Sequence, residues 1–270
     1  ALSSAASDVY KRQKQQVFDR SRMGNETSFG LGFSGNEMIG KFVAGNDFNY
    51  VQAHATSIAA SGKYNISSCS SEVIASGRVQ MKNYQAVDLI NGLERHDGYT
   101  HAYFKSFTPA LQNSIRQYAS QGGRILISGS YTGSDMQTEE EQAFLSDILK
   151  LSYEPTGSTA ITRDINPEDS TVTERDSIVY TSPNVKGLGL QFSYYNELNA
   201  QHYAATHPEI LKPVGNYAFT AMQYDTGTSA AVAYKSTTYR SFVMGFPLEC
   251  IIDERTRTSV LLGILKFLTD

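Results

Sequence analysis

The feature that most constrains this chain is a strand, a helix and a second strand in immediate succession between Tyr84 and Ser128. Ala86-Val-Asp-Leu-Ile90 is a short, mostly apolar run that leads into the polar loop Asn91-Gly-Leu-Glu-Arg-His-Asp-Gly98. Thr108-Pro109 reads as a helix N-cap followed by proline at the first helical position, where a missing N–H leaves no bond unmade. Leu111, Ile115, Tyr118 and Ala119 then fall on one helical face, and Gly122-Gly123 ends the helix. Arg124-Ile-Leu-Ile-Ser128 is too continuously apolar for a strand with one wet face and suits the middle of a sheet covered on both sides. A strand, helix and strand of this length form a right-handed βαβ unit. The chain is therefore expected to be α/β, a three-layer sandwich around a mainly parallel central sheet.

The alternation continues on both sides. Phe48, Val51, Ala55, Ile58 and Ala59 follow helical spacing up to the stop Ser61-Gly62, a strand is expected over 64–68, and a brief helix after Ser70. Beyond the turn Gly129-Ser-Tyr-Thr-Gly133, Thr138 and Glu141 have capping-box spacing ahead of the apolar Phe144, Leu145, Ile148 and Leu149. Residues 154–230 lose the pattern, and short stretches at 177–181 and 189–193 predict a β-rich insertion or cover. Strands are expected over 229–234 and 240–246, and a closing helix capped by Asp253 buries Val260, Leu261, Ile264, Leu265 and Leu268. The segment 14–45, rich in Gly, Asn and Ser with aromatics at Phe18, Phe29, Phe33 and Phe42, reads as irregular surface. Residues 1–13 carry neither periodicity, and Asp8 to Gln13 resembles a translated sequencing adapter, so they are expected to stand outside a single domain over 14–270.

Composition narrows the function classes. A net charge of −4, with no Lys/Arg cluster on a candidate helix, gives no attraction for phosphate backbones, so nucleic acid is not an expected partner. No apolar run approaches the ~18–20 residues of a membrane span. Two cysteines, Cys69 and Cys250, make neither a disulfide framework nor a zinc site, and His202 and His207 have no metal spacing, so no metal is expected. Gly30-Leu-Gly-Phe-Ser-Gly35 neither follows a strand nor opens a helix, so no dinucleotide or other cofactor is expected.

In open α/β sheets ligands bind beyond the carboxyl ends of the strands, where loop amides and helix N-termini converge. One such end presents Asn91, Glu94, His96 and Asp97, and the next presents Ser128, Ser130, Tyr131 and Asp135. Asn91, Asp97, Tyr131 and Asp135 are the candidate binding cleft. Ser130 with Glu94 or His96 is the candidate nucleophile and base. The turn Ser128-Gly-Ser-Tyr-Thr-Gly133 lacks the G-x-S-x-G spacing of a nucleophile elbow, so Ser130 reads first as a capping or loop-satisfying hydroxyl. The run Glu94-Arg95-His96-Asp97 reads first as a solvated loop, and His54, among small residues in a helix, as a satisfied structural histidine.

The stretch from Tyr84 to Asp135, with Phe107-Thr-Pro-Ala-Leu-Gln112, Tyr118-Ala-Ser-Gln-Gly-Gly123 and Ile127-Ser-Gly-Ser-Tyr-Thr-Gly-Ser-Asp135, resembles a domain of large secreted bacterial proteins labelled xanthan lyase or golvesin-domain proteins. Some of those carry an N-acetylmuramoyl-alanine amidase domain. Gly45-Asn-Asp-Phe-Asn-Tyr50 leading to His54, and Gly245-Phe-Pro-Leu-Glu249, extend the resemblance over most of 15–270. It implies a flavodoxin-like, class I glutamine amidotransferase-like architecture and an extracytoplasmic location. It also implies glycan or peptidoglycan and neighbouring domains of the parent chain as partners. In that architecture the strand after the glycine pair delivers a cysteine nucleophile, and here Ile127-Ser-Gly-Ser130 contains none. The resemblance further implies a leading strand before residue 14, which a chain whose native sequence starts at Lys14 lacks. The function it implies is an accessory or non-catalytic domain in glycan or peptidoglycan processing, with the serine-dependent hydrolase as the alternative.

Overall fold

The computed structural model describes residues 2–4, 16–17, 42–44, 50–95, 105–154, 178–181, 188–196, 204–205 and 207–270. The βαβ unit forms as expected. Strand β5 (Val87–Gly92) and strand β6 (Arg124–Gly129) pair in parallel, with Leu89 opposite Ile127 and Ile90 opposite Ser128. Helix α3 (Pro109–Ser120) joins them, its first turn closed by the Thr108 hydroxyl accepting from Leu111 N. Every residue of β5 is buried, as the apolar run requires.

Seven further strands complete one sheet. They are β1 (Leu2–Ser4), β4 (Ser68–Ser70), β8 (Ile178–Thr181), β9 (Gln191–Ser193), β11 (Ala218–Tyr224), β12 (Ser229–Lys235) and β13 (Arg240–Met244). The order is β4-β1-β5-β6-β13-β12-β11-β8-β9. The half from β4 to β13 is parallel, and the half from β13 to β9 is antiparallel. Two small antiparallel pairs lie outside it: β2 (Gln16–Val17) with β3 (Phe42–Ala44), and β7 (Leu151–Tyr153) with β10 (Leu211–Pro213). Strands of the 154–230 region are thus largely the continuation of the central sheet rather than a separate cover.

Both faces are covered, as a three-layer sandwich demands. On one face Leu126, Ile90 and Phe242 meet Ile58 of α1 (Tyr50–Ala59) and Leu261, Ile264 and Leu268 of α5 (Glu254–Thr269). On the other Val87, Leu89, Ile125, Ile127 and Val243 meet Ile74 of α2 (Ser71–Ala75), Leu111 and Ile115 of α3, and Phe144 of α4 (Glu139–Phe144). Alternation along β5 and β6 decides which side chain faces which layer. The capping box is complete: Thr138 Oγ1 accepts from Glu141 N while Glu141 Oε2 accepts from Thr138 N.

Two expectations are corrected. Residues 2–4 do not stand outside the fold: Leu2–Ser4 lie between β4 and β5, parallel to both, in the place left for a leading strand. Ladder bonds are made by backbone groups, so a serine-rich segment without apolar periodicity can fill a slot that would otherwise leave two rows of N–H and C=O groups unpaired. The strand expected over 64–68 instead begins at Ser68, while Tyr64 and Ile66 pack on the α1 side of the core without pairing. Of the segment read as irregular surface over 14–45, residues 16–17 and 42–44 form the β2–β3 pair, and the rest lies outside the described residues.

Candidate functional site

Beyond the carboxyl ends of β5 and β6, four segments are tied together by short polar links. Ser130 N donates to Gly92 O at 2.9 Å, which carries the β5–β6 ladder into the turn. Gly129 lies so close to Asn91 that a Cβ there would stand 2.7 Å from Asn91 Cβ. The Ser106 hydroxyl lies 3.0 Å from the Glu94 carbonyl and 3.1 Å from that of Tyr131, and Ser106 N donates to Asp135 Oδ2 at 2.8 Å. Nearby, Lys105 Nζ donates to Glu141 Oε1.

Glu209, which carries no motif in the sequence, closes the fourth segment onto this edge. Its carboxylate accepts from Gly133 N at 2.6 Å and Ser134 N at 2.9 Å, its amide donates to Gly245 O at 2.7 Å, and Tyr224 Oη donates to its carbonyl at 3.0 Å. Burial pushes the Glu209 carboxyl up to about 7; hydrogen bonds from Ser134 and Gly133 oppose that rise and the charge of Asp135 adds to it. The approach to Gly245 leaves no room for a side chain, because a Cβ there would stand 2.3 Å from Glu209 O. Gly245→Ala is therefore expected to lose about 1–3 kcal/mol of stability, read as a lower urea midpoint with an unchanged m-value; a midpoint equal to that of the native protein would contradict this packing.

The candidate residues do not assemble into a nucleophile and base among the described residues. Ser130 is fully buried, and its Oγ has no hydrogen-bond partner there, so it neither caps a helix nor bonds Glu94. Helix α4 starts well beyond it with its own Thr138 cap, which leaves Ser130 no amide to satisfy. Asn91 is buried, and among the described residues both its side-chain polar atoms lack a hydrogen-bond partner, as do Ser128 Oγ and Asp88 Oδ1. Glu94 is half-buried, Asp135 is buried, and Tyr131 lies half-buried beneath Arg95, while His96 and Asp97 lie outside the described residues.

The strongest electrostatic feature lies on the α1 face. His54 Nδ1 is 2.6 Å from Asp88 Oδ2 and Nε2 is 3.1 Å from Glu249 Oε2. His54 and Glu249 are wholly buried, and Asp88 is 3% exposed. Asp88 belongs to β5, and Glu249 lies in the 3-10 turn Leu248–Cys250 that follows β13, so the imidazole joins the start of β5 to the segment beyond β13, and these two strands flank β6. With both carboxylates ionised and each facing a ring nitrogen, both nitrogens donate and the ring is an imidazolium. Burial alone pulls its proton affinity down, yet the charge and hydrogen bond of Asp88 and the hydrogen bond and charge of Glu249 outweigh that and raise the pKa to about 10. His54 is thus a satisfied structural histidine, as expected. The sequence signal for its partner is Asp88 itself, a carboxylate inside an apolar central strand that cannot be buried alone.

Among the described residues, no group of three or more His, Cys, Asp or Glu side chains is arranged to hold a metal. Nor, among those residues, is any helix long and apolar enough to cross a membrane.

No protein-family model matches the sequence, and no curated protein matches it. Among solved structures the chain is similar to a β-galactosidase from Bacillus circulans sp. alkalophilus, with 12% identity and a TM-score of 0.49 over 82% of this chain and 27% of that one. It is also similar to a ThuA-like protein from Parabacteroides merdae, with 13% identity and a TM-score of 0.48 over 83% of this chain and 85% of that one. A third is a GMP synthase component from Thermoplasma acidophilum, with 10% identity and a TM-score of 0.44 over 80% of this chain and 86% of that one. The chain spans about a quarter of the length of the β-galactosidase. Likenesses this distant carry no argument, and the α/β architecture rests on the sheet and its two helical layers.

Proposed function

We propose that this chain is a non-catalytic, amidotransferase-like accessory domain of an exported bacterial protein of the xanthan lyase or golvesin-domain kind. Its part in glycan or peptidoglycan processing is to hold a ligand or to brace neighbouring domains, not to break a bond. One observation carries the reading. The hydroxyl at the place of a strand-end nucleophile, Ser130 Oγ, is fully buried and hydrogen-bonds to no base among the described residues. A serine becomes nucleophilic only beside a base that takes its proton and near donors that stabilise the oxyanion. The surrounding charges are consumed internally: Glu141 by Lys105 and its capping amides, Glu209 by the Gly133 and Ser134 amides, and His54 by Asp88 and Glu249.

A fluorophosphonate probe, which couples to activated serine hydroxyls, separates this from the hydrolase that uses Ser130 with Glu94 or His96. The chain is expected to stay unlabelled while co-sedimenting with insoluble peptidoglycan or polysaccharide. Stoichiometric labelling at Ser130 would install the hydrolase instead, and failure to co-sediment with either polymer would remove the glycan role. Flanking gene sequence is expected to encode a signal peptide and an enzyme domain; a cytosolic enzyme frame there defeats the reading.

A further inference from the structure

Three side chains from three of the linked segments stack at the carboxyl edge of the parallel half-sheet. The Arg95 guanidinium carbon lies 4.7 Å from the Tyr131 ring centroid, and the Tyr131 and His207 centroids are 5.8 Å apart with their planes inclined by 33°. Arg95 and His207 are exposed, and Tyr131, which contacts both, is half-buried. We propose that this stack is a recognition site for the carboxylate of an acidic glycan, with Arg95 as the group that reads the charge. The proposal rests on the glycan-binding reading above and specifies its ligand.

An exposed arginine is ordinary surface, and three observations set this one apart. The first is its contact. A guanidinium held over a ring face by cation–π attraction keeps N–H donors that can meet a carboxylate in two parallel bonds. The second is charge. Arg95 makes no ion pair among the described residues, and two acids of the linked loops already accept from backbone amides: Asp135 from Ser106, and Glu209 from Gly133 and Ser134.

The third is rigidity. The Ser106 hydroxyl faces the carbonyls of both Glu94 and Tyr131, which ties the Arg95 loop to the Tyr131 loop. Glu209 ties the segment that bears His207 to the same loop, two residues beyond Tyr131. The stack is thereby ordered before any ligand arrives, which lowers the entropy that binding must overcome. Its position outside the carboxyl ends of β5 and β6 is where open α/β sheets take ligands.

The test compares trigalacturonic acid with its methyl ester, which keeps the sugar chain but lacks the carboxylate charges, by calorimetric titration of the native chain and two variants. The native chain is expected to bind the acid about 10-fold or more tightly than the ester, from a charge-assisted bidentate contact. Arg95→Gln is expected to abolish that preference, and Arg95→Lys to restore only part of it, because an ammonium keeps the charge without the fork. Far-ultraviolet circular dichroism identical to the native chain shows that either variant is folded. An Arg95→Gln protein that keeps the preference overturns the assignment. Equal binding of acid and ester by the native chain overturns it and leaves the glycan role standing, whereas co-sedimentation with neither polymer in the earlier experiment ends both.

Discussion

Replacing His54 by leucine is expected to be the most damaging single substitution in the described part of the chain, with a loss of about 3–5 kcal/mol. The imidazolium sits between Asp88 Oδ2 and Glu249 Oε2, and neither carboxylate is solvated. Without it two acids remain buried across β6, and their options are repulsion or uptake of a proton from water at neutral pH. For a chain of this size the thermal midpoint should fall by roughly 10 °C. Removing all three charges together, in His54→Leu with Asp88→Val and Glu249→Leu, should recover part of the loss, because an apolar cluster carries no desolvation penalty. Urea unfolding at pH 6 measures both. A single variant as stable as the native protein would show that the carboxylates do not depend on the ring.

The same bridge makes stability depend on alkalinity. His54 titrates near 6.5 when unfolded and at about 10 when folded. A raised folded pKa means that the folded state holds a proton the unfolded state has released, so stability falls as pH rises through that interval. The contribution is complete below about pH 6.5 and gone above about pH 10, a loss on the order of 5 kcal/mol. Glu209, raised to about 7, acts in the same direction at lower pH, between its ordinary 4.5 and 7. The free energy of unfolding should therefore decline from pH 6.5 to 10 in the native protein and decline much less over that range in the triple variant, which has neither the ring nor its two acids to titrate. A native protein equally stable at both ends of the window would mean that the ring is not charged in the fold.

What was legible in the sequence follows the range of the interactions that made it so. Thr108-Pro109, the Thr138–Glu141 box and the Asp253 cap depend on neighbours within a turn, and each forms as its spacing predicts. The continuous apolar runs of β5 and β6 declared double-sided burial, and the parallel pairing follows. Partnerships across the fold left weaker marks. His54 meets acids 34 and 195 positions away, and only the oddity of Asp88 in an apolar strand hinted that a cation was required. Glu209 sits in a stretch whose short strands give little periodicity, and nothing local distinguishes it from a surface acid. Strand β1 left no mark because backbone pairing does not depend on side-chain identity. Arg95 was visible only as part of a charged run; its stacking on Tyr131 depends on two loops meeting, which no spacing encodes.

The long detour between β6 and β13 bears on how the molecule comes to exist. Arg124–Gly129 acquires its second parallel partner only from Arg240–Met244, after the intervening chain has supplied β7 to β12. During synthesis one side of β6 therefore emerges as a bare, apolar edge, and it must wait until Arg240–Met244 has been made before it is covered. A helper that shields such a strand acts on this interval, and a delay in translation lengthens it.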